Sequence, residues 1–282
     1  MQRPRIDLVV LTFNEEKNIS QCLDSVQGLV DSVYIVDSGS TDDTKKIAES
    51  YGAYVYQNPF ENQAVQFNWA MDNLPLEGDW VLWLDADEYL LPELKSEIDS
   101  KLPKLSKDIC GILLKRRLYF MDRWIRHGGF YPTIVMRLFR TGTARKENIE
   151  MDEHLYLMRG SSIQFLNDFA DYNHKGLLDW SIKHVKYSAR CARTYLKYEE
   201  ENSHGEIESN YFGSAPERKR WLKSKLYLKF PLIIRAFLLF IYRYIIKLGI
   251  LDGIPGLIYN YLHSMWYMFL VDCVIIEKNR KN

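Results

Sequence analysis

A short apolar segment that ends in two aspartates most constrains what this chain can fold into. Residues 79–88 read Asp-Trp-Val-Leu-Trp-Leu-Asp-Ala-Asp-Glu, and the apolar run has the length and composition of a buried β-strand. Residues i and i+2 of an extended chain lie on the same face, so Asp85 and Asp87 can point together from the end of that strand. Two such carboxylates suit Mg²⁺ or Mn²⁺, and the ion would in turn hold a diphosphate. For an isolated motif of this kind, the alternative is a solvated acidic turn after a core strand.

Three further strands are predicted before this segment, and helical patterns alternate with them. The predicted strands are Ile6 to Phe13, Val33 to Val36 and Ala53 to Tyr56. The first predicted helix has apolar residues at helical spacing, namely Ile19, Cys22, Leu23 and Val26. The second begins at Ser40 or Thr41, which can cap it, and ends at Gly52. The third covers Asn62 to Leu74. This alternation predicts a parallel α/β sheet with right-handed connections, which binds its ligand at the carboxyl ends of the strands.

The pattern changes after residue 100. Two longer strands are predicted, Ile109 to Tyr119 and Ile134 to Phe139, and residues from Leu177 to about Glu201 predict a helix. Residues 202–216 are polar and rich in Gly and Ser, which indicates a boundary. The chain contains neither G-x-G-x-x-G nor G-x-x-x-x-G-K-[ST], so the sequence indicates neither a dinucleotide site nor a P-loop.

Charge is unevenly distributed along a chain that is formally neutral overall. Residues 218–251 carry nine Lys or Arg and no Asp or Glu. A segregated basic block of this kind suggests anionic lipid or nucleic acid as a partner. Because its charges are interleaved with Leu, Ile and Phe rather than with polar loops, we expect lipid and no nucleic acid.

The basic block overlaps an amphipathic pattern. At helical spacing, five of the six basic residues of Leu222 to Leu251 fall within an arc of about 120° beside a broad apolar face; they are Lys225, Lys229, Arg235, Arg243 and Lys247. Ile254 to Val271 carries no charge, but polar residues interrupt it. We expect a helical hairpin at a membrane surface. A true membrane span and a buried helical pair packed on the sheet are the alternatives.

The cysteines and the first residues bear on the compartment. Cys22, Cys110, Cys191 and Cys273 are far apart and form no C-x-x-C, which fits a reduced compartment and argues against a structural zinc site. The first residues lead directly into a strand-like segment without the apolar stretch of a signal peptide. We therefore expect a cytoplasmic protein held peripherally on the inner face of the cytoplasmic membrane.

Three strings in this order and spacing carry a resemblance to a known family. VVLTFNEEKNISQCLDSV, VYIVDSGSTDDT and WVLWLDADE resemble the family 2 nucleotide-sugar glycosyltransferases of the GT-A fold, over residues 6 to about 95. The resemblance implies that Asp37 contacts the uracil or ribose and that Asp87, helped by Asp85, ligates the metal at the diphosphate. It places the nucleotide pocket at Thr12, Asn14, Glu15, Asp37, Asp85, Ala86 and Asp87. Gln63 and Asn68 stand where family members have donor-pocket residues; a polar helix face is the alternative for both.

A second resemblance covers the middle of the chain. RWIRHGGFYPTIVMRLFR is similar to the bacterial lipopolysaccharide-core glucosyltransferase branch. In that branch a His-Glu pair then precedes a short apolar stretch and a Gly, and here Asp152-Glu153 precedes Gly160. The resemblance implies that Glu153 is the catalytic base, with Asp152 as the other candidate. Arg126 and Arg137 are candidates for a phosphate contact, and a surface ion pair is the alternative for each.

Together these patterns predict an α/β protein of the GT-A class, with a Rossmann-like mixed sheet flanked by helices and a C-terminal amphipathic region that associates with the membrane. Residues 1–215 would form the glycosyltransferase domain, with the nucleotide-sugar half at 1–100 and the acceptor half at 101–215, and residues 216–282 the basic tail. By resemblance, the function is inverting transfer of a hexose from UDP-glucose or a similar donor to a lipid-linked or lipopolysaccharide-core glycan, with Mg²⁺ or Mn²⁺. The alternatives are a polyprenyl-phosphate glycosyltransferase, a metal-dependent phosphatase and a non-catalytic sugar-nucleotide-binding protein.

Overall fold

The computed structural model describes residues 3–147, 154–201, 212, 221, 222 and 227–280. These residues fall into two compact units. The first contains the described residues of 1–119, 131–146 and 155–175, and the second contains those of 120–130, 147–154 and 176–282. The predicted boundary near residue 215 lies outside the described residues.

The strands are β1 (Ile6–Thr12), β2 (Ser32–Asp37), β3 (Tyr54–Gln57), β4 (Trp80–Asp85), β5 (Glu88–Leu90), β6 (Ile109–Phe120), β7 (Arg123–Trp124), β8 (Thr133–Arg140), β9 (Ala144–Lys146), β10 (Leu155–Leu157) and β11 (Ser161–Tyr172). The α-helices are α1 (Ile19–Val26), α2 (Thr44–Ser50), α3 (Gln63–Asn73), α4 (Pro92–Lys101), α5 (Leu177–Glu201), α6 (Ile234–Ile241), α7 (Gly253–Asn260) and α8 (Tyr267–Asn279). Short 3₁₀-helices cover Leu102–Lys104, Tyr227–Lys229 and Gly249–Asp252, and π-helical turns cover Tyr242–Ile246 and Tyr261–Trp266.

A mixed sheet forms the centre of the first unit. Its strands follow one another in the order β3-β2-β1-β4-β8-β6-β11-β5. The first four are mutually parallel, as the sequence predicted, while β8 is antiparallel to both of its neighbours. In the register of the parallel part, Leu11 lies opposite Asp85 and Thr12 lies opposite Asp37. The last residues of β1, β2 and β4 therefore meet at one edge of the sheet.

The apolar runs that predicted these strands are buried because helices cover both faces of the sheet. Along β1, Leu8 and Val10 belong to one apolar cluster, which includes residues of α1 and α4. Val9 belongs to a second cluster with Phe67 of α3 and Trp83 of β4. Successive residues of a strand point to opposite faces, so a strand covered on both sides is largely apolar.

Two local predictions for the first unit need correction. Helix α2 begins at Thr44 rather than after Ser40 or Thr41. The Ser40 hydroxyl is engaged elsewhere, since it accepts a hydrogen bond from the Asn14 backbone N–H at 2.8 Å and donates to Asp37. The twelve-residue strand β11 was not predicted at all. Its burial does not alternate regularly, and its pairing with β6 shifts register in two places, so its sequence lacks a clear strand pattern.

The second unit is helical. Helix α5 is present where the sequence predicted it, and its residues Cys191, Ala192 and Tyr195 belong to one apolar cluster with Val271 and Ile275 of α8. The region from residue 234 is divided among α6, α7, α8 and shorter turns, with left-handed backbone at Leu248. Over the described ranges, no helix has both the length and the apolar character required to cross a bilayer.

The predicted basic flank of the tail needs correction at Arg235. This residue is 1% exposed, and its guanidinium donates from Nε to Asp272 Oδ1 at 2.8 Å. Asp272 is itself fully buried, so the two charges compensate each other inside the unit. Lys229 and Lys247 are exposed as expected. Lys225 and the basic residues at 218–223 lie outside the described residues.

Candidate active site

The Asp85-Ala86-Asp87 turn connects β4 to the short strand β5. Asp85 Oδ1 accepts a hydrogen bond from Gln63 Nε2 at 3.0 Å, and its Oδ2 accepts one from Arg137 Nη2 at 2.9 Å. Asp87 Oδ2 accepts a hydrogen bond from Asn173 Nδ2 at 2.9 Å. Both aspartate side chains are half-buried, whereas Ala86 is buried. Because a carboxylate has about four acceptor positions, Asp87 keeps more capacity for a ligand than Asp85 does.

An ion-pair network fixes this turn from the protein side. Arg137 Nη2 also donates to Glu88 Oε1 at 2.6 Å, and the guanidinium lies 4.1 Å from the centre of the Trp83 ring. Burial raises the pKa of Glu88, and the guanidinium opposes that change. Burial by itself would lower the pKa of Arg137, but Glu88 and Asp85 outweigh it and raise that pKa, so Arg137 stays charged. Arg137 is therefore a buried ion-pair partner rather than the surface ion pair that its sequence suggested, and a phosphate contact stays a prediction.

The loop after β1 is fastened to the loop after β2. Asn14 has a left-handed backbone (φ 54°), and its Oδ1 accepts a hydrogen bond from the Thr41 backbone N–H at 2.8 Å. The Glu15 N–H donates to Thr44 Oγ1 at 2.7 Å. Two of the residues assigned to the nucleotide pocket thus hold the shape of the sheet edge beside the aspartate turn.

Asp37 lies inside this pair of loops. Its side chain is fully buried, and its carboxylate accepts four hydrogen bonds: from Thr12 Oγ1 at 3.0 Å, from the Gly39 and Ser40 backbone N–H groups at 3.0 and 2.8 Å, and from Ser40 Oγ. The buried Thr12 therefore contributes to the site by donating a hydrogen bond to Asp37. A direct contact between Asp37 and a nucleotide stays a prediction, whereas its role in holding the two loops is visible in these contacts.

A cation that sequence reasoning missed lies at the same edge. Lys175 Nζ donates to Glu15 Oε1 at 2.6 Å. Burial raises the pKa of Glu15, the nearby charge of Asp87 raises it further, and Lys175 opposes both effects. Lys175 follows β11, which was not predicted, and it is 160 positions from Glu15. No local pattern could have connected the two residues.

The two polar residues of α3 assigned to the donor pocket differ in position. Gln63 reaches Asp85, as described above. Asn68 instead binds the backbone of Lys146 at both ends of its amide: Nδ2 donates to the carbonyl oxygen at 3.0 Å, and Oδ1 accepts from the N–H at 3.1 Å. This pairing joins α3 to β9, and a donor-pocket role for Asn68 stays a prediction.

The residues of the turn fit a divalent cation of the Mg²⁺ or Mn²⁺ type, although they supply only part of its coordination. Among the described residues, no group of three or more His, Cys, Asp and Glu side chains is arranged to hold a metal. Mg²⁺ commonly takes one or two carboxylates from a protein and completes its octahedron with water and substrate phosphates. The Asp87 carboxylate has free acceptor capacity for such an ion. Asp85, two residues earlier, has carboxylate oxygens of the same hard type. The two proposed catalytic carboxylates, Asp152 and Glu153, lie outside the described residues.

The chain is similar in sequence to known glycosyltransferases. An uncharacterized glycosyltransferase of Rickettsia felis is 42% identical over 95 residues, which cover 34% of this chain and 33% of that protein. The lipopolysaccharide core biosynthesis glycosyltransferase LpsC of Rhizobium meliloti is 31% identical over 147 residues, which cover 48% of this chain and 51% of LpsC. The chain thus spans between a third and about half of the length of these two curated relatives.

A solved structure and a family model extend the comparison. The mannosyltransferase PcManGT from Pyrobaculum calidifontis, in complex with GDP-Man and Mn²⁺, superposes with a TM-score of 0.50 at 14% identity, covering 99% of this chain and 88% of that one. At this identity the likeness shows the fold alone, and it supports the α/β fold of the GT-A type. The family model "Glycosyl transferase family 2" matches residues 7–165, more than half of the 282 residues. The chain therefore belongs to glycosyltransferase family 2.

Proposed function

We propose that this protein transfers a hexose from a nucleoside-diphosphate sugar to a hydroxyl group of a lipid-linked or lipopolysaccharide-core glycan, with inversion at the sugar carbon. One observation carries the proposal. Asp85 ends β4 and Asp87 follows it, at the same sheet edge where Asn14 and Glu15 follow β1. In open α/β sheets this edge is where a nucleotide ligand binds. LpsC is named for lipopolysaccharide core biosynthesis, which supports a glycan acceptor of that class.

The residues of the edge divide the work of donor binding. Bound Mg²⁺ or Mn²⁺ would neutralise the negative charge that grows on the leaving diphosphate. Asp87 would hold the ion, since its carboxylate keeps free acceptor capacity. Asp85 would share this task, and its carboxylate is held by hydrogen bonds from Gln63 and Arg137. Lys175 balances the charge of Glu15. It would thereby limit the repulsion between the acidic side chains of this sheet edge and a diphosphate.

The acceptor hydroxyl must lose its proton during transfer. We assign this step to Glu153, with Asp152 as the second candidate, on the basis of the sequence resemblance. A general base of this kind contributes about 10²–10⁴-fold to the rate. Glu153→Gln should therefore lower transfer by that factor and leave UDP affinity unchanged. If Asp152→Asn is the inactive variant and Glu153→Gln stays active, the base is Asp152.

Calorimetry with UDP tests the donor site directly. The wild-type protein should bind UDP at least 10-fold more tightly with Mn²⁺ than with EDTA, and Asp87→Ala should remove that difference. Asp99→Ala, a change at an exposed acid of α4, is the matched control and should behave as wild type. Equal UDP affinity in Mn²⁺ and EDTA would rule out the assignment of Asp85 and Asp87 to a metal. A screen of other nucleotide sugars under the same conditions would identify the donor.

A further inference from the structure

The second unit exposes many apolar side chains within a short stretch of the chain. We call it the apolar face and define it as the exposed Ile, Leu, Phe and Tyr side chains of residues 234–257. Six of these side chains are more than half exposed: Ile234 at 53%, Ile245 at 52%, Ile246 at 65%, Leu248 at 52%, Leu251 at 56% and Ile254 at 72%. Single exposed apolar residues are ordinary, but a concentration of them within one short stretch of chain marks an interaction surface.

The apolar face carries no exposed acid. Asp252 is the only Asp or Glu between residues 227 and 271. It is 1% exposed, and its carboxylate accepts hydrogen bonds from the His127 backbone N–H and lies against His127 Nδ1, both at 2.8 Å. The one carboxylate of this stretch is therefore used inside the unit and adds no negative charge to the surface.

Positive charge does reach the surface. Lys247 is exposed within the apolar face and forms no ion pair with any described residue; its ammonium group lies 5.6 Å from the ring centre of Tyr242. Lys229 is exposed shortly before α6. Arg243 is half-buried, with its guanidinium 4.5 Å from the centre of the Phe130 ring, so Lys247 and Lys229 supply the surface charge. Apolar side chains and unbalanced cations thus share one stretch of the chain.

We propose that the apolar face is a docking surface for an anionic lipid bilayer, with the helices lying in the plane of the interface. The apolar side chains would enter the boundary between headgroups and acyl chains, and the cations would meet lipid phosphates. A second copy of this chain fits less well, because a symmetric contact places the same patch of both copies together and so brings cation against cation. The proposal does not depend on the glycosyl donor or acceptor.

Vesicle flotation with the full chain tests the proposal. Wild-type protein should float with vesicles of phosphatidylglycerol and phosphatidylcholine at low salt, and less so at high salt or with phosphatidylcholine alone. Ile246→Glu combined with Ile254→Glu should reduce the partition coefficient at least 10-fold. Lys247→Ala should reduce it about 5-fold, since one Lys near an anionic surface contributes about 1 kcal/mol. Leu166→Glu, at a 72% exposed residue of β11, is the matched control and should float as wild type.

Two further measurements keep the test decisive. Hydrogen exchange of the wild-type protein should slow in residues 234–257 when these vesicles are added, which requires no variant. UDP binding of the Ile246→Glu/Ile254→Glu variant should equal that of wild type, so a failed donor assignment and a failed docking assignment give different results. The proposal is overturned if wild-type protein ignores anionic vesicles at low salt. It is also overturned if light scattering shows that the wild-type protein forms dimers, that the double variant does not, and that neither protein binds the vesicles.

Discussion

Arg137 and Glu88 form a buried ion pair next to the Asp85-Ala86-Asp87 turn, with Nη2 and Oε1 2.6 Å apart and side chains 7% and 2% exposed. The same Arg137 nitrogen also holds Asp85. Removing one partner of a buried pair leaves an uncompensated charge, which costs about 3–5 kcal/mol. This pair therefore links the stability of the sheet to the geometry of the proposed metal site.

We predict that Arg137→Met lowers the free energy of unfolding by about 3–5 kcal/mol in urea titrations at pH 8. Burial already raises the pKa of Glu88, and loss of the guanidinium would raise it further, so Glu88 would take up a proton in the folded variant. A raised carboxyl pKa in the folded state favours folding at low pH and loses that effect as pH rises. The loss should therefore be smaller at pH 5.5 than at pH 8.

Two comparisons make this prediction specific. Adding Glu88→Gln to Arg137→Met should recover part of the lost stability, because it removes the charge left unpaired. Arg5→Met is the surface control: its pair with Glu77 is 3.6 Å long and the side chains are 51% and 73% exposed. That control should change stability by less than about 0.5 kcal/mol. Equal losses for Arg5→Met and Arg137→Met would contradict a special role for the buried pair.

A second prediction concerns Asp37, whose carboxylate accepts four hydrogen bonds. Asp37→Asn replaces an acceptor oxygen with an N–H₂ group that faces other donors. We expect a loss of about 1–3 kcal/mol in stability, together with weaker UDP binding, because both loops of the sheet edge shift. Thermal unfolding and calorimetry on the same samples measure the two effects.

Thr12→Val serves as the comparison for Asp37. It removes one of the four hydrogen bonds at nearly constant volume, so its stability loss should be smaller, about 1 kcal/mol. If Asp37→Asn unfolds at the wild-type temperature and loses only UDP affinity, Asp37 acts by direct contact with the nucleotide. That result would favour the role implied by the sequence resemblance over the loop-holding role.

The sequence could predict those parts of the fold that local patterns encode. β1 and β4 are largely apolar because helices cover both faces, and α1 shows its buried stripe at i, i+3, i+4 and i+7. Parallel order then brings the ends of these strands together, which is why the aspartate turn and the Asn14 loop could be placed at one edge before the structure was known.

The remainder depends on contacts between distant residues. Lys175 pairs with Glu15, which lies 160 positions earlier in the chain. Helical spacing assigned Arg235 to a basic flank, but it could not predict the ion pair with Asp272, 37 positions later. Strand β11 is irregular in burial because it pairs with β6 through register shifts. Periodicity describes which face a residue occupies, but it does not identify the partner on that face.

A third prediction uses Gly160, which has a left-handed backbone at φ +76°. A Cβ atom there would lie 2.8 Å from the Asp108 carbonyl oxygen, so Gly160→Ala adds a steric clash to the backbone strain. We expect a loss of about 2–4 kcal/mol, from about 1–2 kcal/mol of strain and a similar amount of overpacking. Urea unfolding measures it.

Gly142 is the matched control for this change. Its backbone is similar, at φ +72°, but a Cβ atom there would meet nothing within 4 Å. Gly142→Ala should therefore cost only the backbone strain, about 1–2 kcal/mol. The difference between the two variants isolates the clash with the Asp108 carbonyl and the Cys110 side chain. If both variants lose the same stability, the chain around residue 160 relaxes without cost.

The last prediction concerns His184 in α5. Its ring stacks on Trp180 with centres 3.5 Å apart, and its Nδ1 lies 2.8 Å from the Trp180 carbonyl oxygen. The rings of Tyr187, His263 and Tyr267 also pack near it. Burial lowers the pKa of His184, the Trp180 carbonyl opposes this change and the neighbouring Lys183 adds to it, so that together they bring the pKa to about 4. The folded protein therefore holds this ring neutral at pH 5, whereas the unfolded chain protonates it with a pKa of about 6.5.

The sign of the pH dependence follows from this difference. Between about pH 6.5 and 4 the unfolded chain binds more protons at this position, so stability decreases as pH falls. The contribution from His184 between pH 7 and 5 is about 1–2 kcal/mol. His184→Gln removes the titrating group and keeps an N–H donor, so the variant should lose less stability than wild type over the same interval. Urea unfolding at pH 7 and pH 5 for both proteins measures the difference, and parallel losses would show that His184 takes up its proton without penalty.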